Sequence, residues 1–285
     1  MNRRHQIAAV LWAASVALFA NPLTRLAAMA ADDTRYSHIL LVPVVCGFLL
    51  WMKQREVLYS TRYSPLAGAL TLAAGLGVAA AGFSIAGVAV IWSGIALLCY
   101  GPNAVRAARF PLLLLWLCVP LPGSVMDQVV LALQTASADT TAGLLRLLGI
   151  NFARDGFVFS LNTVSIEVAK ECSGVRSALS LLLGSLLVGH VLLQNSWNRL
   201  GFALLTIPVV IFKNAVRIAG ITWLGLNVDQ GFFTGELHRY SGLPFSLLAL
   251  GILVPALLGL RRMERCSALE VDALGVRDNQ LVVHR

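Results

Sequence analysis

LGFALLTIPVVIFKNAVRIAGITWLGL, residues 200–226, is an apolar run whose only ionisable residues are Lys213 and Arg217. A bilayer core takes about 17–25 residues of helix. Inside it every backbone N–H and C=O needs a partner within the segment, which selects a helix. Working outward, the same pattern recurs at residues 7–29, 38–52, 66–83, 85–100, 110–121, 174–193 and 243–260. The sequence therefore predicts an all-α polytopic membrane protein of about eight transmembrane helices. Composition agrees: 58% of residues are hydrophobic and 13% charged, against roughly 25% charged in soluble domains.

Charge sets the orientation. The formal net charge is +8. In a soluble chain this would raise nucleic-acid binding; between apolar spans it reads as cytoplasmic loops instead, so no nucleic acid is expected. Eight spans put both termini on one side. Arg3 and Arg4, Lys53, Arg55 and Arg62, Arg106 and Arg109, Arg199, and Arg261, Arg262 and Arg265 all fall on that side. The positive-inside rule makes it the cytoplasm. The start, Asn2-Arg3-Arg4-His5 before an apolar stretch, has the form of a secretory signal with Ala28-Met29-Ala30 as a cleavage site. The apolar region runs on past Pro22, which favours a retained first helix.

Residues 124–148 are helical in pattern but carry Asp127, Gln128, Gln134, Asp139 and Arg146. They read as an amphipathic helix on the outer face, because a further span would put Arg261 and Arg262 outside. Arg154-Asp155-Gly156 is a turn signal between short apolar stretches, and residues 163–168 alternate. A β-hairpin or three-stranded element outside the membrane is expected there. The extracytoplasmic insertion thus covers about residues 124–170, inside a membrane domain of residues 1–260. A short polar cytoplasmic tail, residues 261–285, follows.

The five cysteines show no CxxC pair and no metal-ligand spacing. No metal and no cofactor is expected, and no disulfide framework. Cys46, Cys99 and Cys118 lie in apolar runs as packing residues, and Cys266 lies in the tail. Cys172 differs: in Lys170-Glu171-Cys172-Ser173-Gly174-Val175-Arg176 it sits where the insertion ends and a span begins. A helix N-terminus favours the thiolate, and so do Lys170 and Arg176, while Glu171 opposes it. Lys213, Asn214 and Arg217 are costly in an apolar helix, which makes them functional candidates. Asn214 and Arg217 share a helix face. Gly235-Glu236-Leu237-His238-Arg239-Tyr240 precedes the last span. A Cys, an Arg and a His at one membrane face are the parts of a thiol acyl-transfer site.

ECSGVRS (171–177), NAVRI (214–218) and GELHRYSG (235–242), in this order and each at a span edge, resemble the exosortase/archaeosortase family of membrane transpeptidases. YSHILLVPVVCGFLLW (36–51) is similar to the family's N-terminal segment, with His38 in its histidine position. PLLLLWLCVPLPG (111–123) and LLRLLGINFARDG (144–156) are similar to its middle portion. The resemblance covers roughly residues 36–260. His238 matches exosortases, where archaeosortases generally have Arg.

The resemblance implies an enzyme of the bacterial inner membrane that cuts the C-terminal sorting signal of secreted proteins. That signal, the PEP-CTERM type, is a Pro-Glu-Pro-like motif, a transmembrane helix and a basic cluster. It implies Cys172 as nucleophile through a thioester, with Arg217 and His238 completing the catalytic set and an acceptor nucleophile of unknown identity. Such systems accompany exopolysaccharide production. His238 as acid and base with Arg217 at the oxyanion is one division of roles, and the reverse is open. Arg176, Asn214, His38, Glu171 and Arg239 are supporting or substrate-binding candidates, and the partners are the tailed proteins and membrane lipid. The competing readings are a small transporter or polysaccharide-export component, a membrane transferase acting on a lipid-linked substrate, and an assembly factor without thiol chemistry.

Overall fold

The apolar runs fold as helices. The computed structural model describes residues 3–58, 64–161, 164–170, 174–233 and 242–283. The chain divides into two units, Met1–Leu121 and Pro122–Arg285.

The first unit opens with α1 (Arg3–Leu18) and α2 (Ala20–Asp32), bent 68° from one another at Phe19. Pro22 explains the break: in a continuous helix its ring would meet the Leu18 carbonyl four residues back. A tight 3-10 turn, Thr34–Leu40, leads into α3 (Leu41–Met52), followed by α4 (Gln54–Leu58). Asp33 starts that turn. Its carboxylate accepts from the Arg35 backbone N–H at 2.9 Å and pairs with the Arg35 guanidinium at 2.7 Å.

Next come α5 (Pro65–Ala80) and α6 (Ser84–Ala107), which pack face to face along glycines. A Cβ at Gly68 would lie 2.6 Å from Leu98 Cα, one at Gly87 2.8 Å from the Gly75 carbonyl, and one at Gly94 2.9 Å from Leu72 N. Only glycine permits backbones this close, which is how helices gain contact area where lipid supplies no hydrophobic drive. A neighbouring face of α6, with Val88, Ile95 and Cys99, shares a buried core with Ala8 and Phe19. The Trp92 indole N–H donates to Ser15 Oγ at 3.0 Å across this contact. α6 kinks at Gly101–Pro102, and α7 (Arg109–Leu114) runs into a last 3-10 turn, Leu115–Cys118.

The second unit begins with α8 (Gly123–Leu147). Its buried residues Met126, Val130, Gln134, Ser137, Ala138, Thr141, Ala142 and Leu145 recur every three or four positions, so they form one stripe. Three short antiparallel strands follow in the order β1-β2-β3: β1 (Ala153–Asp155), β2 (Val158–Ser160) and β3 (Ser165–Glu167). Asp155 pairs with Val158, leaving Gly156 and Phe157 as the turn. Phe159 alone of β2 is fully buried, stacked edge-on to Phe152 with ring centres 5.3 Å apart.

Three helices complete the unit: α9 (Val175–Leu192), α10 (Ser196–Asn227) and α11 (Gly242–Val283). The α9–α10 turn is clamped by Glu264 of α11, which accepts from Gln194 N at 2.8 Å, Asn195 N at 3.0 Å and Asn198 Nδ2 at 2.8 Å. α9, α10 and α11 share a core of Leu193, Phe202, Val209, Ala249, Leu253 and Leu257. Leu204, Leu247, Leu250 and Val254 point outward and are exposed, as lipid-facing residues are.

Among the described residues, five helices are long and apolar enough to cross a membrane: Thr34–Met52, Ser84–Ala107, Val175–Leu192, Ser196–Asn227 and Pro244–Ser267. Counting each of two broken pairs as one span, Arg3–Leu18 with Ala20–Asp32 and Arg109–Cys118 with Gly123–Leu147, gives up to seven. The eight spans expected from hydropathy are not reached among the described residues. The first is broken at Phe19. The stretch expected at 66–83 forms the 16-residue α5, below the length that spans on its own. The run at 110–121 ends as helix at Cys118. The last helix, expected to end near residue 260, continues to Val283.

Candidate active site

α10 carries the ionisable residues of the second unit into its packed interior. Lys213 is 6% exposed and Asn214 2%, and Arg217, one turn on, is half-buried. An apolar helix tolerates such residues where they face protein. What they face is the start of α9. Gly174, with φ 82° and ψ 5°, is the left-handed residue that turns the chain into α9. A Cβ there would lie 3.4 Å from Val210 Cγ1 and 3.7 Å from Asn214 Cγ, so the first turn of α9 rests directly on α10.

A relay of two hydrogen bonds fixes this contact. Lys213 Nζ donates to Ser177 Oγ at 2.8 Å, and Ser177 Oγ donates to the Gly174 carbonyl at 2.9 Å. The same carbonyl accepts the first helical bond, from Ala178 N at 2.9 Å. On the other side of residues 171–173, the chain is pinned at Val168. Its N–H donates to the Phe157 carbonyl at 2.9 Å, and its carbonyl accepts from the buried Gln134 amide of α8. Val168 belongs to one core with Ala138, Ala142, Leu145, Phe159, Ala219 and Ile218. Ile218 directly follows Arg217, so the Arg217 turn and the strand end leading to Cys172 share a core.

Glu171, Cys172, His238 and Arg239 lie outside the described residues. Arg176 is on the first turn of α9 and exposed, and Lys170 is exposed. His38 belongs to the first unit, where it is buried in the Thr34–Leu40 turn; its Nδ1 has no hydrogen-bond partner among the described residues. Ser177 and the anchoring role of Gln134 are additions to the residues expected from sequence. A serine one turn into a span is unremarkable by itself. Gln134 was legible only as a polar residue on an amphipathic helix.

A family model described as transmembrane exosortase matches residues 30–255. The chain belongs to the transmembrane exosortase family. No curated protein and no solved structure matches it. The matched region starts within α2 and ends within α11, and so takes in the Lys213–Ser177, Gly174 and Val168 contacts. Membership supports a multi-pass membrane transpeptidase as the general class of this exosortase, and implies a secreted protein substrate carrying a sorting signal.

Proposed function

We propose that this exosortase is a cysteine transpeptidase of the bacterial inner membrane that cleaves the PEP-CTERM-type tail of secreted proteins at the extracytoplasmic face, with both termini cytoplasmic. Cys172 is the nucleophile, and Arg217 and His238 complete the site. The observation that carries the reading is the seating of Gly174 and Ser177 on Val210, Lys213 and Asn214, one turn from Arg217. Two peptide units separate Cys172 from Gly174, so their Cα atoms lie within about 7.6 Å in any conformation.

The chemistry follows from the groups. The Cys172 thiolate attacks the scissile carbonyl. The S–C bond forms, the C–N bond breaks, and His238 passes the thiol proton to the leaving amine. Arg217, permanently charged, steadies the oxyanion with its fork of donors. The thioester then passes to an acceptor nucleophile or water. A tail anchored by one helix presents its motif at the depth of this membrane edge. Its basic end stays cytoplasmic under the rule that orients the enzyme. Arg176, Lys170 and Arg239 suit an acidic residue in the motif, and the link to exopolysaccharide production belongs to the same reading.

The test is to trap the intermediate. Enzyme in nanodiscs is mixed with a synthetic tail peptide, quenched in acid and digested. The reading expects an acyl adduct on the Cys172 peptide that hydroxylamine removes, absent from Cys172→Ala. Cleavage of the tail with no adduct on wild-type Cys172 at any quench time overturns the thioester route.

A further inference from the structure

We propose that the crevice between α2 and α6 in the first unit seats one anionic phospholipid, with Arg25 at its phosphate and an acyl chain along α6. This site is separate from the catalytic reading and does not rest on it.

The deep part of the crevice is apolar. A space of about 180 Å³ is walled by Leu26 of α2, Ile39 of the 3-10 turn, Val88, Ala89 and Trp92 of α6, and Leu115. The one polar atom of Trp92, its indole N–H, is already engaged by Ser15 Oγ. Water finds too few partners in such a space to fill it. In a bilayer the apolar filler at hand is a hydrocarbon chain.

The mouth is polar. A second crevice, of about 410 Å³, adjoins the first, and Leu26 and Ile85 line both. Its polar walls are Asn21 and Arg25, one turn apart on α2, and Ser84, the first residue of α6. Arg25 is exposed and makes no ion pair among the described residues. The carboxylates at this end do not neutralise it. Asp33 is taken by Arg35 at 2.7 Å, and Asp32 lies about 10 Å further along α2. A guanidinium binds a phosphate through two parallel N–H donors, which suits a lipid headgroup.

The order of the two parts is that of a lipid. From Ser84 to Trp92, α6 advances about 12 Å, so the polar mouth leads into the apolar space in the direction a headgroup leads into its chain. α2 also turns 68° away from α1 just before Asn21, as a helix does that runs along a headgroup layer. The charge of Arg25 selects an anionic lipid. A zwitterionic one brings its own ammonium beside the guanidinium.

The experiment is native mass spectrometry of the purified full-length protein in detergent, titrated with phosphatidylglycerol or phosphatidylcholine. Wild type is expected to retain one phosphatidylglycerol in preference to phosphatidylcholine. Arg25→Gln should weaken phosphatidylglycerol about fivefold and so erase the preference. Ala27→Phe places a ring in the apolar space from an exposed position that lines it, and should weaken both lipids. Ala28→Phe, exposed on α2 but outside that lining, should leave both unchanged. A wild-type test stands in for any variant that fails to fold: phosphatidylglycerol carrying a diazirine on its acyl chain should label Val88 or Ala89, which are buried from the surrounding bilayer. The proposal is overturned if wild type shows no preference for phosphatidylglycerol. It is equally overturned if folded Arg25→Gln or Ala27→Phe binds as wild type does, or if neither Val88 nor Ala89 is labelled.

Discussion

Gly174→Ala separates backbone strain from crowding at the entrance to α9. Gly174 has φ 82° and ψ 5°, a region where an L-residue with a Cβ pays about 1–2 kcal/mol. Space is not the obstacle. The added Cβ would meet Val210 Cγ1 at 3.4 Å and Asn214 Cβ at 3.8 Å, which is ordinary contact. Alanine should therefore cost about 1–2 kcal/mol from conformation alone. At about 2–4 °C per kcal/mol for a chain of this size class, the apparent Tm falls by about 2–8 °C. Valine adds γ-carbons that run into Val210 and Asn214, and overpacking brings about 1–3 kcal/mol more. Asparagine adopts the left-handed region more readily than alanine, so its loss is in side-chain fit. The assay is thermal melting followed by circular dichroism, in one detergent and at one scan rate. The expected order of stability is wild type, then Ala, then Val. An Ala variant melting within 1 °C of wild type (a margin of roughly a quarter of a kcal/mol), or Val no worse than Ala, would refute the strain argument.

Two more expectations concern the first unit. In Gly87→Val the new Cβ lies 2.7 Å from Ala79 Cβ and 2.8 Å from the Gly75 carbonyl, so α5 and α6 must part. A loss of about 1–3 kcal/mol or more follows, seen as a lowered melting temperature and aggregation on size-exclusion chromatography. A monodisperse variant of wild-type stability would contradict the close packing. Asp33 tests pH: the hydrogen bond and charge of Arg35 hold its carboxyl below the usual carboxylate range. With the folded value depressed, its contribution is present above the unfolded value of about 3.9 and is lost as pH falls through the lower folded value. The stability gap between wild type and Asp33→Asn should stay constant from pH 8 to 5 and close at lower pH, and a gap that widens in acid would count against the pairing.

How much of this was legible in the sequence differs by element. Helices in bilayer-length apolar runs were, because lipid leaves the backbone no other partner. Their number was not. Hydropathy sums side chains and is blind to continuity, so the Pro22 break and the short α5 passed as spans. Lys213, Asn214 and Arg217 stood out because charge and amide groups are expensive in an apolar helix. Ser177 and Gln134 did not, since their partners, Lys213 and the Val168 carbonyl, lie 36 and 34 residues away in the chain and are brought near by packing alone. Glu264 was equally hidden, a tail residue by position that caps the turn before α10. His38 was singled out by its place in a motif, and in the fold it belongs to the first unit, buried in a turn of its own.

The most direct test of the central claim is tail processing in cells. The protein is co-expressed with a tagged secreted substrate bearing a Pro-Glu-Pro-type tail, and wild type is compared with Cys172→Ala by blot, with membrane levels of both enzymes measured. The account predicts a shortened substrate with wild type and none with Cys172→Ala present at equal level in the membrane. Equal processing by both would contradict a Cys172 nucleophile and return the weight to readings without thiol chemistry.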